Sequence, residues 1–398
     1  MIIRARAVVT MEGAPIENGA VAVEGERIAD VGSFDEVKAR NTGEIVDLGE
    51  QALLPGLINA HCHLDYTCLR NKISRQKSFS DWIRAINAEK AKLSPEDYRA
   101  SIDQGFAEAK KFGTTTIANL TAFPELIPQI QPGIRTWWFG ELIDVRSPER
   151  ANEIVDSAVG MLRRLPNWGV APHAPFTASE KLYRRCEETA RRANALLTTH
   201  LAESREEMQM FSHSAGPLAD FLAKIGRDNS DLHQVSPVEH LSKFCHFDNR
   251  WLLVHLNEIR LRDLELLVQQ KTLPAIVHCP RSHRYFGHSP FKVGKFRKLG
   301  FNVCLGTDSL ASNTDLSLFA EMRALQRSRL KLWPRQILEM VTVNGARALH
   351  CEKILGRIRR NFHADLISVP CEKATTAFEE IIAFDGSVNW MMIGGKVQ

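Results

Sequence analysis

The sequence predicts an α/β fold, a (β/α)8 barrel of the TIM type joined to a small β-sandwich domain that both termini build. Between about residues 53 and 355, strand-like and helix-like segments alternate, which is typical of repeated βα units. The two ends of the chain read instead as short extended pieces separated by turns. We therefore predict a small β-sandwich domain from residues 1–52 and 356–398, and a barrel from residues 53–355.

Eight short apolar segments are the candidates for the barrel strands, and helix signals lie between them. A proline follows the capping residue Ser94, and Thr177 with Glu180 matches a capping box. Pro334 opens a further helix that should end near Leu349. Eight strands interleaved with helices is the arrangement of a (β/α)8 barrel. The eight segments lie near residues 57–61, 114–119, 134–139, 168–173, 196–200, 251–255, 274–278 and 302–307.

Composition and charge narrow the classes of function. A formal net charge of +4 is too small for a typical nucleic-acid-binding protein, whose basic residues cluster on one surface. No apolar run approaches the roughly 18 residues that are needed to cross a bilayer. The eight cysteines show no C-x-x-C spacing, so we expect free thiols in a reducing cytoplasm. These observations favour a cytoplasmic protein that acts on a small molecule, with neither nucleic acid nor a membrane as partner.

Polar side chains end most of the predicted strands. Five of the strands finish on a histidine, and the last one finishes on an aspartate. In a barrel the carboxyl ends of all strands converge on one mouth, where active sites lie. We therefore expect these side chains to share one space. They are His61 with His63, His173, His200, His255, His278 and Asp308.

The histidines have the spacing of metal ligands. His61 and His63 project to the same side, because side chains alternate along a strand, and two imidazoles supply half of a tetrahedral site. His200 adds a third imidazole, and Glu203 follows where a carboxylate can face a substrate as a proton carrier. Each feature has a plainer interpretation, namely a hydrogen-bonded histidine pair, an acidic first turn of a helix, or a simple turn aspartate at Asp308. Their shared location favours the metal site.

Four motifs, in order along the chain, resemble the amidohydrolase superfamily, and within it the deaminase and chlorohydrolase branch that binds a single metal ion. The motifs are Pro55-Gly-Leu-Ile-Asn-Ala-His61-Cys-His63, His200-Leu-Ala-Glu203, His255 and Gly306-Thr-Asp308-Ser309. The resemblance covers essentially the whole chain. It implies one Zn²⁺ per chain, with Fe²⁺ as the alternative. The implied metal ligands are His61, His63, His200 and Asp308.

The same resemblance implies a mechanism of hydrolytic deamination. A bound zinc ion lowers the pKa of water from about 15.7 towards about 7, and the resulting hydroxide adds to a ring carbon that bears an amino group. Glu203 is then the general acid/base, His255 orients the attacking water, and Asp308 can also accept a proton. Two-metal relatives that cleave cyclic amides usually carry a carboxylated lysine after strand four. Residues 168–175 contain no lysine, which favours deamination.

Other segments resemble the substrate pockets of this branch. By resemblance to adenosine-type deaminases, His173 contacts a nucleoside, and Trp82 belongs to an aromatic lid that could cover a flat base. Residues 278–288 and 305–313 resemble the aminofutalosine deaminases of menaquinone biosynthesis. This resemblance implies conversion of 6-amino-6-deoxyfutalosine, an adenine nucleoside carrying a benzoate, to futalosine and ammonia.

The benzoate of such a substrate needs a cation. Arg281 or Arg284 is a candidate, because a guanidinium grips a carboxylate with two parallel hydrogen bonds. Ser309, beside the expected ligand Asp308, is a further candidate contact. The plainer interpretations are a solvent-paired loop arginine and, for Trp82, a tryptophan in a helix core.

Three other functions stay open at this point. One keeps the chemistry and changes the substrate to methylthioadenosine or S-adenosylhomocysteine, and another is a triazine-type chlorohydrolase or aminohydrolase. The third is a non-catalytic barrel, which a missing metal ligand would mark. A homodimer is compatible with the resemblance, but the sequence does not fix the oligomeric state. The remaining histidines in polar connections, predicted as surface or helix residues, are His213, His233, His240 and His246.

Overall fold

The computed structural model describes residues 1–232, 234–328 and 331–398. Within these ranges the strands are β1 (Ile2–Val8), β2 (Ile16–Glu24), β3 (Arg27–Ser33), β4 (Ile45–Asp47), β5 (Gln51–Pro55), β6 (Leu57–His63), β7 (Thr114–Thr121), β8 (Arg135–Leu142), β9 (Trp168–Pro172), β10 (Leu196–Leu201), β11 (Trp251–His255), β12 (Ala275–His278), β13 (Asn302–Leu305), β14 (Asp308–Ser309), β15 (Leu366–Pro370), β16 (Trp390–Ile393) and β17 (Lys396–Val397).

The helices of the same ranges lie mainly between the strands β6 to β14. They are α1 (Phe34–Arg40), α2 (Phe79–Lys90), α3 (Pro95–Lys111), α4 (Ala151–Leu162), α5 (Glu180–Ala193), α6 (Arg205–His213), α7 (Pro217–Lys224), α8 (Pro237–Leu241), α9 (Leu261–Val268), α10 (Pro280–Phe286), α11 (Val293–Lys298), α12 (Leu318–Gln326), α13 (Pro334–Met340), α14 (Val343–Ala348) and α15 (Ala377–Ala383). Short 3₁₀ helices span Leu64–Leu69, Pro124–Gln129, Pro148–Arg150 and Ala374–Thr376.

The predicted barrel is confirmed. Strands β6 to β13 are parallel neighbours in chain order, and β14 pairs with β6, which brings the last strand beside the first. Most residues of these strands are buried, as expected of a parallel sheet covered by helices. The eight predicted segments coincide with β6 to β13, with bounds that differ by a few residues.

The last predicted strand, 302–307, differs because it is broken into β13 and β14. At the break the ladder changes partner: the Gly306 N–H donates to the His278 carbonyl, and the Thr307 N–H donates to the His61 carbonyl. A Cβ on Gly306 would lie 2.6 Å from the His61 carbonyl oxygen, so the two strands approach this closely only at a glycine. This close approach positions Asp308 beside β6.

Both termini contribute to a second, separate sheet, as predicted. Its strand order is β17-β16-β15-β5-β1-β2-β3, and β4 also pairs with β1. Strand β5 joins the ends of the chain, since it pairs with β1 on one side and with β15 on the other. The predicted domain boundary between residues 52 and 53 falls inside β5, and the division into two domains stays a prediction.

The helix signals are confirmed for α3 and need correction elsewhere. The Ser94 hydroxyl accepts a hydrogen bond from the Asp97 N–H, and α3 ends before Gly113. Helix α5 is capped by Ser179 rather than by Thr177, whose hydroxyl lies 2.6 Å from a ring nitrogen of His173. The helix predicted from Pro334 to about 349 is divided into α13 and α14, because the backbone leaves helical geometry at Thr342.

All eight cysteines lie within the described residues and are free, as predicted. In the described ranges, none of the helices combines the length and the apolarity that crossing a membrane requires.

Candidate active site

The strand ends of the barrel bring together the four side chains that were predicted to bind a metal. His61 and His63 come from β6, His200 from β10 and Asp308 from β14. The Nε2 atoms of His63 and His200 lie 3.2 Å apart. An Asp308 carboxylate oxygen lies 3.8 Å from His61 Nε2 and 4.0 Å from His63 Nε2. Three imidazoles and one carboxylate therefore face one point.

The donor set fits a divalent ion. The His61 side chain is 0% exposed, and neither of its ring nitrogens has a hydrogen-bond partner among the described residues. Ring nitrogens of His61, His63 and His200 all lie within 4.8 Å of one another. Zinc–nitrogen bonds of about 2.0–2.1 Å in tetrahedral geometry put two ligand nitrogens about 3.3 Å apart. The distance between the His63 and His200 nitrogens agrees with this value.

The surroundings of His63 and of Asp308 favour the protonation states that metal binding needs. Burial lowers the pKa of His63 well below its ordinary value, and it does the same to His255. Neutral imidazole is the form that binds a metal. Asp308 accepts hydrogen bonds from the Ser282 hydroxyl, at 2.6 Å, and from the Ser309 N–H, at 2.8 Å, both of which stabilise a carboxylate.

Glu203 and His255 form a pair beside this cluster. Glu203 Oε1 lies 3.6 Å from His255 Nε2. Burial, and then the carboxylates of Asp308 and Glu207, raise the pKa of Glu203 well above its ordinary value. A carboxyl group with a raised pKa can hold a proton at neutral pH and donate it to a substrate.

The backbone around these two residues is strained. Ala202, His255, Leu256 and Asp308 have φ values of 50°, 77°, 48° and 57°, in the left-handed region that favours glycine. The Glu207 carboxylate supports the turn, because it accepts hydrogen bonds from the N–H groups of Ala202 and Glu203. The strain thus coincides with the residues that were predicted to be catalytic.

A cavity of about 550 Å³ opens above the cluster. Three of the predicted substrate contacts line it, namely Trp82, His173 and Ser309. Aromatic and aliphatic side chains together form its apolar wall. The aromatic side chains are Tyr66, Phe79, Trp82, Phe176 and Phe221. The cavity therefore offers a flat apolar wall above a polar floor.

The structure corrects the expectation for Arg281. Its guanidinium pairs with Asp315, at 2.6 Å, and its side chain is 10% exposed. Arg281 and Arg284 line a separate outer pocket of about 320 Å³ and not the cavity above the cluster. Arg281, three residues beyond the end of β12 and in the first turn of α10, was expected to face inwards, but Asp315 of the loop after β14 binds it.

Sequence reasoning missed several polar residues that do line the cavity. They are Lys90, Glu141, Arg146 and Arg150. Glu141 and Arg146 follow the strand-end rule, since they lie at and just after the end of β8. No site residue was predicted on β8, because the end of this strand carries no histidine. Glu141 Oε1 lies 3.7 Å from His63 Nδ1, and burial raises the pKa of Glu141.

The remaining histidines lie outside the cavity. His278 ends β12 as predicted, but its ring stacks on Phe291 at 3.8 Å. His213 and His246 are exposed, and His240 is buried within the short helix α8. His233 lies outside the described residues.

Comparison with known proteins agrees with the site. Residues 52–398 match the model of the amidohydrolase family, and residues 19–42 match that of the bacterial imidazolonepropionase-like composite domain. The chain is 28% identical to a 5'-deoxyadenosine deaminase of Methanothrix thermoacetophila, over 100% of this chain and 93% of the relative. It is 30% identical to a 5-methylthioadenosine/S-adenosylhomocysteine deaminase of Syntrophobacter fumaroxidans, over 91% and 82% of the two chains.

A solved structure shows the same fold. The Helicobacter pylori aminofutalosine deaminase, in complex with methylthio-coformycin, superposes with a TM-score of 0.89 at 22% identity. The match covers 100% of this chain and 99% of that one.

Proposed function

The chain belongs to the amidohydrolase family, and from this membership we propose that it is a zinc-dependent deaminase of an aminated purine nucleoside. One observation carries the proposal. Four metal-ligand side chains converge at the bottom of a cavity, with Glu203 and His255 beside them. The relatives named above are deaminases of adenosine-like nucleosides, which supports the same reaction here.

The reaction replaces the amino group of the ring by oxygen and releases ammonia. His61, His63, His200 and Asp308 would hold a divalent ion, and such an ion would supply Lewis acidity that lowers the pKa of a water molecule. Glu203 donates its proton to the ring nitrogen next to the reacting carbon, which makes that carbon more electrophilic. His255, 3.6 Å from Glu203, hydrogen-bonds the oxygen that adds to this carbon. The ionised Glu203 takes up one proton of the added water and passes it to the amino group. The carbon–nitrogen bond then breaks, ammonia leaves, and the remaining hydroxyl forms the carbonyl group as its proton returns to Glu203.

The cavity suits a flat nitrogen heterocycle attached to a polar group. Trp82, Phe79 and Phe176 supply aromatic surface on which a purine can stack. His173 faces the same space with its Nδ1 held at 2.6 Å from the Thr177 hydroxyl, so its Nε2 is available to the nucleoside. These contacts support a nucleoside better than a small triazine, which lacks the sugar.

We propose 6-amino-6-deoxyfutalosine as the substrate. Its benzoate needs a cation, and Arg146 lies on the cavity rim, exposed and without an ion pair among the described residues. Arg150 also lines the rim, although it pairs with Glu153. Arg146 therefore takes the place that was expected of Arg281. A role in menaquinone biosynthesis and a cytoplasmic location follow from this substrate and stay predictions.

A second candidate is deamination of methylthioadenosine or S-adenosylhomocysteine. The Syntrophobacter relative, at 30% identity, favours it. S-adenosylhomocysteine also carries a carboxylate, so Arg146 can bind either substrate. Methylthioadenosine carries no carboxylate. A substitution of Arg146 should therefore weaken binding of the two carboxylate-bearing substrates but not of methylthioadenosine.

The test is ammonia release from a panel of nucleosides, with zinc content measured on the same sample. The panel contains 6-amino-6-deoxyfutalosine, S-adenosylhomocysteine, methylthioadenosine and 5'-deoxyadenosine. We expect the highest kcat/KM for the first compound. An equal or higher value for S-adenosylhomocysteine or methylthioadenosine would transfer the assignment to the second candidate. No ammonia from any of them, with zinc bound, would refute the deaminase.

Arg146→Ala tests the carboxylate contact, and Arg281→Ala is the matched control. Loss of an ion pair of about 1.5–3 kcal/mol corresponds to a rise in KM of roughly 10- to 100-fold. We expect this rise for 6-amino-6-deoxyfutalosine with Arg146→Ala, and little change for methylthioadenosine. Arg281→Ala should leave both KM values close to those of the parent enzyme. The reverse pattern would return the role to Arg281.

A further inference from the structure

Glu141 lines the cavity beside His63, one of the proposed metal ligands, and no part of the mechanism above uses it. It is the next-to-last residue of β8, and its side chain is 4% exposed. Its Oε1 atom lies 3.7 Å from His63 Nδ1 and has no hydrogen-bond partner among the described residues. A buried carboxylate oxygen without a partner is costly, and the His63 imidazole is a donor within 3.7 Å that can satisfy it.

The orientation of His63 leaves one nitrogen for Glu141. Its Nε2 faces His200 and Asp308, at 3.2 Å and 4.0 Å. The ring lies nearly parallel to the rings of Tyr66 and His200, with centroid distances of 5.8 Å and 5.2 Å, and these contacts restrict its orientation. Nδ1 therefore points away from the metal site, towards the end of β8.

The neighbouring ligand His200 shows the same division between its two nitrogens. Its Nδ1–H donates to the carbonyl oxygen of His173 at 2.9 Å, which leaves Nε2 for the ion. A metal-bound histidine usually donates its second N–H to a carbonyl or carboxylate, which fixes the tautomer. For His63 the described residues offer no carbonyl at Nδ1, and Glu141 is the carboxylate in that direction.

We propose that Glu141 is a positioning residue for the metal centre. Its carboxylate accepts the Nδ1 proton of His63 and so holds the tautomer that presents Nε2 to the ion. The negative charge also makes Nε2 a stronger electron donor. This inference rests on the metal site of the proposed function, and it extends that site to a residue that binds neither the ion nor the reacting ring.

A competing arrangement makes Glu141 itself a ligand. Ligand atoms of Glu141, His173 and His200 also lie within 4.8 Å of one another. However, His200 has only Nε2 free, and one nitrogen lone pair binds one ion. The two arrangements therefore exclude each other. The cluster of His61, His63, His200 and Asp308 offers four donors rather than three, which favours the positioning role for Glu141.

The experiment measures zinc affinity on the full-length chain, independently of turnover. Zinc is competed against a chromogenic chelator in the parent protein and in Glu141→Gln, Glu141→Ala and His173→Ala. Glu187→Gln is the matched control. Glu187, like Glu141, is a buried glutamate, but it accepts a hydrogen bond from the His246 N–H and does not line the cavity. Thermal unfolding of every metal-free variant is recorded alongside.

We expect Glu141→Ala to bind zinc about 10- to 100-fold more weakly than the parent protein. Glu141→Gln keeps an acceptor oxygen and should lie in between, while His173→Ala and Glu187→Gln should match the parent. Glu141→Gln is nearly isosteric, so it keeps the test valid if Glu141→Ala fails to fold.

Three other results would overturn the inference in distinguishable ways. Parent-like zinc affinity in both Glu141 variants would remove the positioning role and leave the proposed function intact. An equal loss in His173→Ala and Glu141→Ala, with parent-like metal-free unfolding, would make Glu141 a direct ligand. A parent protein that binds no zinc would refute the metal site of the proposed function itself.

Discussion

At the scale of single residues, the site depends on side chains whose charge is set by burial. Glu203 shows this most clearly. Burial raises its pKa, and His255 lies 3.6 Å from it. The carboxyl group can therefore give up a proton to the substrate and regain one within a single turnover.

Glu203→Gln tests this role. Glutamine keeps the shape of the side chain but cannot transfer a proton, so we expect kcat to fall by about 10²- to 10⁴-fold. Zinc content should remain that of the parent enzyme, because Glu203 is not among the four ligands. Ammonia release and metal analysis on one preparation measure both quantities. Near-normal turnover of the variant would refute proton transfer by Glu203.

The residue scale also shows where sequence reasoning succeeds and fails. The cluster of histidines could be predicted because each member ends a strand, and a barrel brings strand ends together. Glu141 and Arg146 also lie near the end of a barrel strand. No histidine accompanies them, and a lone glutamate or arginine is too common to indicate a functional site. Arg281 was misplaced because its orientation depends on Asp315, an acid supplied by a different loop.

At the scale of elements, helix α12 holds the loops around Asp308. Its Glu321 carboxylate accepts hydrogen bonds from the Arg281 N–H, at 2.9 Å, and from the Asn313 side chain, at 2.7 Å. The Asn313 amide also donates to the Thr307 carbonyl. Glu321 is fully buried, and burial raises its pKa to about 8.

Glu321→Gln should therefore change how stability depends on pH. An unfolded glutamate ionises near pH 4.5, so between about pH 4.5 and 8 the folded protein binds more protons than the unfolded one. The contribution of Glu321 to the free energy of unfolding is therefore complete below about pH 4.5, and it is lost as the pH rises from there through about 8. Glutamine does not titrate. The parent protein should thus lose stability relative to the variant between pH 5.5 and 8.5.

Urea unfolding at those two pH values measures the effect, with the exposed Glu125→Gln as the control variant. A difference between parent and Glu321→Gln that stays constant with pH would contradict the prediction.

The helix and strand assignments from sequence were accurate where one local signal was enough. Helix α3 has a capping serine followed by proline, and its start was placed correctly. The start of α5 was misassigned because Thr177 and Ser179 are both capping residues, and only the three-dimensional contact of Thr177 with His173 separates them. The break between β13 and β14 depends on the approach of Gly306 to His61, which is distant in sequence.

At the scale of the whole molecule, a partly buried ion pair joins the terminal sheet to the barrel. Arg135 begins β8, and its Nε donates to Asp365, the residue before β15, at 2.6 Å. The Asp365 side chain is 3% exposed and also accepts a hydrogen bond from the Gly394 N–H. The barrel and the terminal sheet were both predicted from the sequence pattern. The ion pair that joins them was not, because neither Arg135 nor Asp365 belongs to a recognisable motif.

Asp365→Ala removes the partner of Arg135, whose side chain is 26% exposed, and also the acceptor of the Gly394 N–H. We expect this to cost about 1–3 kcal/mol of stability. We expect the Tm to fall by roughly 1–4 °C, since an unfolding entropy of about 2.1 cal/mol/K per residue gives about 1.2 °C per kcal/mol for a chain of 398 residues. Glu153→Ala, which removes the exposed pair with Arg150, is the control and should change the Tm little. Differential scanning fluorimetry at one heating rate compares them, and an unchanged Tm for Asp365→Ala would contradict the role of this pair.

The pairing of β14 with β6 means that the last of the four proposed metal ligands is synthesised long after the first. His61 and His63 leave the ribosome early, whereas Asp308 belongs to the last quarter of the 398-residue chain. Domains begin to fold during translation, from their N-terminal side. A nascent chain that stops short of Asp308 can therefore present only imidazoles to an ion, and the complete coordination sphere forms once the barrel closes.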